Sequence, residues 1–136
     1  MARFPSAEWA AFFQSALNSN AEYAEAAKAW EGDILFLVTA DPRSPKGSGI
    51  HLDLFHGSCR SATFTEDPTT ISSEFIYEGR REDWRRLLQG ELDPVKALLR
   101  GTFRVRGNLP KLMRFTRAAT LLASTAATVP TEFDPA

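Results

Sequence analysis

The chain has 136 residues, 43% of them hydrophobic, and a formal net charge of −1, which suits one domain with a single core. Its apolar runs fall far short of the ~20 residues a membrane span needs. Its opening MARFPSAEW lacks the apolar centre of a secretory signal. A soluble, cytoplasmic protein is therefore expected, and the lone Cys59 excludes a disulfide framework or a multi-cysteine metal centre.

In chain order, Ser6 suits a helix N-cap, and Trp9, Phe12, Phe13 and Ala16 line one helical face as far as Leu17. Asn18-Ser-Asn breaks that helix. A second starts near Asn20, with Tyr23, Ala26, Ala27 and Trp30 inward and Gly32 at its end. Ile34 to Ala40 is a continuous apolar run of strand length, so both its faces should be covered and it belongs centrally in a sheet. The loop 41–49 carries Gly47 and Gly49, but a strand follows them and no Lys-Ser/Thr opens a helix, so it is not a phosphate-binding loop. Ile50, Leu52 and Leu54 alternate with His51, Asp53 and Phe55. Cys59 to Thr65 and Ile71 to Glu78 are two further strands, with Phe75 and Tyr77 on one face. Short turns argue for an antiparallel meander.

The stretch 79–127 organises the rest. Trp84, Leu87 and Leu88 mark one amphipathic helix, closed by Gly90. Asp93-Pro94 caps another, with Val95, Leu98 and Leu99 as its apolar face and Gly101 at its end. Phe103 and Val105 alternate with Thr102, Arg104 and Arg106 in a half-buried strand. Asn108 then caps a long final helix with a broad face of Leu109, Leu112, Met113, Phe115, Ala119, Leu122 and Ala126. The order is α-α-β-β-β-β-α-α-β-α. The fifth strand, returning after a helical excursion, is free to pair with a non-neighbour in parallel. Residues 1–127 form the domain and 128–136 a loose tail.

Charge is uneven. Residues 80–117 hold 11 of the 16 basic and 4 of the 17 acidic residues, a net of +7 that leaves −8 for the remainder. The arginines Arg80, Arg81, Arg85, Arg86, Arg100, Arg104, Arg106, Arg114 and Arg117 either solvate helix faces, hold an anionic head group, or meet an anionic membrane transiently. They lie on amphipathic helices without a reading helix or aromatic RNA motif, so no nucleic-acid partner is expected.

Chemistry has one candidate region. His51 and Asp53 share a strand side, and His56, Ser58 and Cys59 follow. Two histidines and a carboxylate could hold a metal or move protons, and Cys59 is a nucleophile if a histidine lowers its pKa. His56, however, falls on the opposite side of a regular strand, and no third group orients it. Polar residues at a strand edge and turn account for the set, and no enzyme, metal or cofactor is expected.

The pattern Trp84, Leu87-Leu88, Gly90-Glu-Leu-Asp-Pro94, Leu98-Leu99, Gly101, Val105, Gly107-Asn108 and a Leu/Met-rich final helix resembles the sterol carrier protein type 2 family. The strongest match covers 84–115, and Ile50-His-Leu-Asp-Leu resembles the family's second strand. The resemblance implies an α+β fold: a five-stranded, mostly antiparallel sheet covered on one face by about five helices, with an apolar tunnel between. It also implies an apolar partner, which is a fatty acid, fatty acyl-CoA, phospholipid or sterol. The chain departs from eukaryotic members in lacking their peroxisomal C-terminal tripeptide.

A lipid site needs apolar lining and a few polar groups at its mouth. Each methylene buried gains roughly 0.8 kcal/mol, so ten carbons give ~8 kcal/mol before the cost of association. The expected liners are Leu112, Met113, Phe115, Ala119 and Leu122 on the final helix, Phe12, Phe13 and Ala16 opposite, and Leu35, Leu37, Phe103 and Val105 as floor. A Leu/Met stripe is also what an ordinary core looks like. The other readings are an accessory module that docks on a lipid-handling enzyme and a small enzyme built on His51–Cys59.

Overall fold

The computed structural model describes residues 1–133. Its elements are β1 (Ala2–Arg3), α1 (Ala7–Asn18), α2 (Ala21–Ala26), β2 (Glu31–Val38), β3 (Ser48–Phe55), β4 (Ser58–Thr65), a 3-10 turn (Pro68–Thr70), β5 (Phe75–Gly79), α3 (Arg81–Leu88), α4 (Pro94–Leu99), β6 (Arg104–Arg106), α5 (Leu109–Met113), α6 (Thr116–Ala126) and β7 (Thr131–Glu132). Four helices start where a capping side chain accepts an otherwise unpaired amide: Ser6 from Trp9, Asn20 from Glu22 and Tyr23, Asp93 from Val95 and Lys96, and Asn108 from Lys111.

The main sheet has the order β4-β3-β2-β5-β6. β2 is central, as its unbroken apolar run requires. The pairs β2–β3, β3–β4 and β5–β6 are antiparallel, and β2–β5 is parallel. The meander therefore stops at β4. The connection 66–74, with its buried Pro68, is too long for a tight hairpin. It crosses the helix-free face of the sheet and delivers β5 to the far side of β2. Gly49 marks the crossing: a β-carbon there would stand 2.9 Å from Leu35 Cδ1 and 3.3 Å from Pro68 Cβ. It is β5 that takes the parallel place beside a non-neighbour, while β6 pairs with its predecessor.

Six helices lie on the other face. Ile34, Phe36 and Val38 of β2, Ile50, Leu52 and Leu54 of β3, and Phe75 of β5 share one core with Trp9, Phe13 and Leu17 of α1, Trp84 of α3 and Leu122 of α6. Trp84 Nε1 donates to the Leu37 carbonyl at 2.9 Å, which fastens α3 to the sheet and satisfies a buried indole N–H.

Two expectations change. The final helix is two helices, broken at Phe115, whose ring turns in to meet Trp30 edge-on at 5.1 Å. The tail is not loose over its first part. Val129 is buried, Thr131–Glu132 pair in parallel with Ala2–Arg3, and Thr131 Oγ1 accepts from Trp9 Nε1 at 2.9 Å. Those contacts hide an apolar side chain and give a buried donor its partner. Residues 134–136 of the expected tail lie outside the described residues. Among the described residues no helix is long and apolar enough to cross a membrane.

Candidate functional site

Between the sheet and helices α3 to α6 lies an apolar cavity of about 180 Å³. Its floor is Ile34 and Phe36 of β2, Phe75 and Tyr77 of β5, and Val105 of β6. One wall is Trp84 and Leu87 of α3 with Pro94, Val95 and Leu98 of α4. The other is Leu112 and Met113 of α5 with Thr116, Ala119, Thr120, Leu122, Ala123 and Ala126 of α6.

The space has a local cause. The side of α6 that faces the floor carries Thr116, Ala119, Thr120, Ala123 and Ala126, small residues where leucines would fill the gap. α4 and α5, six and five residues long, leave the edge between them unsealed. Val95, Leu98 and Met113 are exposed there, so this edge is the mouth. A smaller void of about 20 Å³ lies toward α2, lined by Tyr23, Trp30, Leu54, Phe115 and Ala118. It shares Ile34, Leu112, Ala119 and Leu122 with the main cavity.

No charged side chain lines the cavity. Its polar groups are the hydroxyls of Thr116, Thr120 and Tyr77. Thr116 Oγ1 donates to the Met113 carbonyl at 2.8 Å. The Tyr77 hydroxyl is buried with no hydrogen-bond partner, and burial raises its pKa, so it stays a neutral phenol. Such a lining suits a hydrocarbon.

Of the twelve residues expected as liners, Val105, Leu112, Met113, Ala119 and Leu122 line the main cavity. Phe115 lines only the smaller void, because the break in the helix turns it toward Trp30. Phe13 is core, stacked on Trp9 at 5.2 Å, and Ala16 packs against that core. Phe12, at the edge of the buried face set by Trp9, Ala10, Phe13 and Leu17, is 49% exposed. Leu35 and Leu37 alternate with Ile34 and Phe36, so they point to the helix-free face of the sheet. Phe103 is buried against Tyr77 and Trp84, behind the floor and outside the cavity.

The expected set did not include Ile34, Phe36, Phe75, Tyr77, Trp84, Leu87, Pro94, Val95, Leu98, Thr116, Thr120, Ala123 or Ala126. The shared face of Phe75 and Tyr77 and the apolar face of α4 were visible in the alternation. The parity of β2 was not.

The His51–Cys59 region is dispersed. His51 Nε2 lies 2.6 Å from Asp33 Oδ2 on the helix-free face. His56 turns outward, stacked on Phe55 at 3.9 Å and 3.3 Å from Glu31. Asp53 is held by Arg60 at 3.0 Å. Cys59 is buried under α1, where burial and the nearby Asp53 charge push its thiol up to about 12, far from a reactive thiolate at neutral pH. Among the described residues no group of three or more His, Cys, Asp or Glu is placed to hold a metal ion.

A cleft beside α3 gathers Arg80, Arg81 and Arg85. Each is engaged: Arg80 by Asp83 at 3.1 Å, Arg81 by Asp41 at 2.8 Å and Arg85 by Glu82 at 2.7 Å.

Comparisons agree with this architecture. No curated protein matches the chain. A crystal structure of sterol carrier protein 2 is 34% identical, covering 91% of this chain and 97% of its own, with a TM-score of 0.86. The solution structure of a conserved hypothetical protein from Thermus thermophilus, described as possibly a sterol carrier protein, is 33% identical. That match covers 93% of this chain and 90% of its own, with a TM-score of 0.83. A ubiquinone synthesis protein, UbiJ-SCP2, matches in fold over 100% of both chains at 13% identity and a TM-score of 0.54. The model of the SCP-2 sterol transfer family matches residues 13–120. The chain belongs to the SCP-2 sterol transfer family, and membership carries lipid binding and transfer with it.

Proposed function

We propose that this protein is a non-catalytic carrier that holds the hydrocarbon part of a fatty acid, fatty acyl-CoA or similar amphiphile between sheet and helices. It works in the cytoplasm, where Cys59 stays reduced. The observation that carries the reading is the apolar cavity with no charged lining and an open edge between α4 and α5.

Engineered apolar cavities of about 150 Å³ accept benzene. On that scale the unliganded space takes roughly six to eight carbon atoms, which at ~0.8 kcal/mol each gives ~5–6 kcal/mol before association costs. A longer chain is accommodated by opening the partition of Ile34, Leu112, Ala119 and Leu122 into the smaller void, which turns two spaces into one tunnel.

Ala119 lines both spaces, so Ala119→Trp is the test. Native mass spectrometry and fluorescent fatty-acid titration should show uptake reduced at least tenfold, with a cooperative melt retained because the new ring fills existing space. Undiminished uptake by a folded Ala119→Trp variant would mean that the ligand sits elsewhere.

A second reading uses the same cavity: an accessory module that presents a bound lipid to an enzyme. The full-length fold match to a ubiquinone synthesis protein motivates it. It predicts that a lipid-handling enzyme turns over faster with the loaded protein than with the same lipid free.

A further inference from the structure

We propose that the face bearing the cavity mouth, formed by α4, α5 and the residues that follow each, is a docking surface for an anionic lipid bilayer. Ligand would pass there between bilayer and cavity without crossing water. The proposal rests on the cavity reading above and adds where and how the ligand is delivered.

Two independent patterns meet on this face. The first is apolar exposure. Among the described residues, Val95, Leu98, Leu99, Leu109 and Met113 are five of the seven exposed large hydrophobics, all within one short stretch. Leu99 and Met113 are 82% and 75% exposed. Val95, Leu98 and Met113 line the mouth, whereas Leu99 and Leu109 are exposed without lining this cavity.

The second pattern is charge. Residues 94–131 contain seven Lys and Arg and no Asp or Glu. Three of the seven are neutralised from elsewhere: Arg106 by Glu78, Lys111 by Glu74 and Arg117 by Glu22. Lys96, Arg100, Arg104 and Arg114 make no ion pair with another described residue. Arg100 directly follows α4 and Arg114 directly follows α5, so unpaired cations flank the protruding leucines and the methionine.

Cations around inserted apolar side chains complement an anionic bilayer, whose acidic head groups meet the first and whose acyl region takes the second. An acidic protein would satisfy the charges alone. The bilayer is favoured because the apolar residues sit at short helices around an opening whose occupant is itself poorly soluble in water.

The test is vesicle flotation with phosphatidylcholine alone and with added phosphatidylserine, at low and high salt, for wild type, Leu99→Ser and Arg100→Glu/Arg114→Glu. All three substituted residues lie outside the cavity lining. Wild type should bind the anionic vesicles preferentially and lose that preference in high salt. The double charge reversal should weaken binding at least tenfold, since each cation near the surface contributes about fivefold. Leu99→Ser should weaken binding at both salt concentrations. Uptake of octanoate from solution, followed in parallel by native mass spectrometry, should be the same in all three proteins.

Equal binding to both vesicle types, or anionic binding that survives the charge reversal, overturns the docking surface. Failure of wild type to take up octanoate while still binding vesicles overturns the cavity reading and leaves the surface standing.

Discussion

The ring of Phe103 packs against Gly79, the last residue of β5. A β-carbon built on Gly79 would collide with Phe103 Cε1 and stand 2.5 Å from Cδ1. The same ring stacks on Tyr77 at 5.0 Å and meets Trp84 edge-on at 5.1 Å. Glycine here is a packing requirement. It lets the chain after α4 bury an aromatic against the sheet, and that aromatic backs the cavity floor at Tyr77.

Gly79→Ala should therefore be destabilising. The ring has no free side to retreat to, being 1% exposed, so overpacking of about 1–3 kcal/mol is expected. Thermal unfolding would read it as a fall of several degrees in the midpoint. Combining it with Phe103→Leu should cost less than the sum of the two single changes, because the second relieves the first. Simple additivity would mean that the two residues do not press on each other.

Phe103 also shows how far the sequence could be read. Local rules carried a long way. The N-caps Ser6, Asn20, Asp93 and Asn108 all accept amides as their side chains suggest, and the alternation Ile50-Leu52-Leu54 gives the buried face of β3 directly. What failed was information no local pattern contains. Ile34 to Val38 is apolar at every position, so nothing in it says that Ile34 and Phe36 meet the cavity while Leu35 faces Pro68. The crossover that places β5 beside β2 is a long-range pairing. Phe12 and Phe13 are adjacent, and only the docking of α1 decides that Phe13 goes in. Phe115 looks continuous with Leu112 because its period is helical, but the helix breaks there and the ring packs on Trp30. A cavity is the hardest to foresee, since it is defined by what Ala119 and Ala123 do not fill.

The unpartnered hydroxyl of Tyr77 yields the next prediction. A buried polar group without a partner costs about 1–3 kcal/mol, so Tyr77→Phe should leave the empty protein equally stable or raise its midpoint. The ring keeps its contacts with Phe36, Trp84 and Phe103, so shape is conserved. A destabilisation beyond about 1 kcal/mol would reveal a partner for the hydroxyl. If the hydroxyl instead serves the ligand, the same variant should bind a fatty alcohol less tightly and a plain alkane no less tightly.

The loop 41–47 carries the last prediction. It lines no part of the cavity and is moored to α3. Arg81 donates to Asp41 at 2.8 Å and to Ser44 at 3.1 Å, while the Arg43 and Ser44 amides donate to Asp41 Oδ1, each at 2.9 Å. The Arg81 hydrogen bond, opposed by partial burial and reinforced by those amides, holds the Asp41 carboxyl below the usual aspartate range. A carboxylate depressed on folding stabilises the protein above its unfolded pKa, and that contribution is lost as pH falls through the lower folded value. Asp33 works with the same sign: burial alone would raise it, but the Glu74 amide and His51 hold it down. Wild type should thus lose stability as pH falls below about 5, through the lowered folded pKa values of both aspartates. Asp41→Asn should be less stable at neutral pH and lose less over that window, retaining the part that belongs to Asp33. Lipid uptake by the variant should be unchanged, because the mouth opens between α4 and α5. Parallel pH profiles for the two proteins would mean that Asp41 contributes nothing, and impaired uptake would place this loop on the ligand's route.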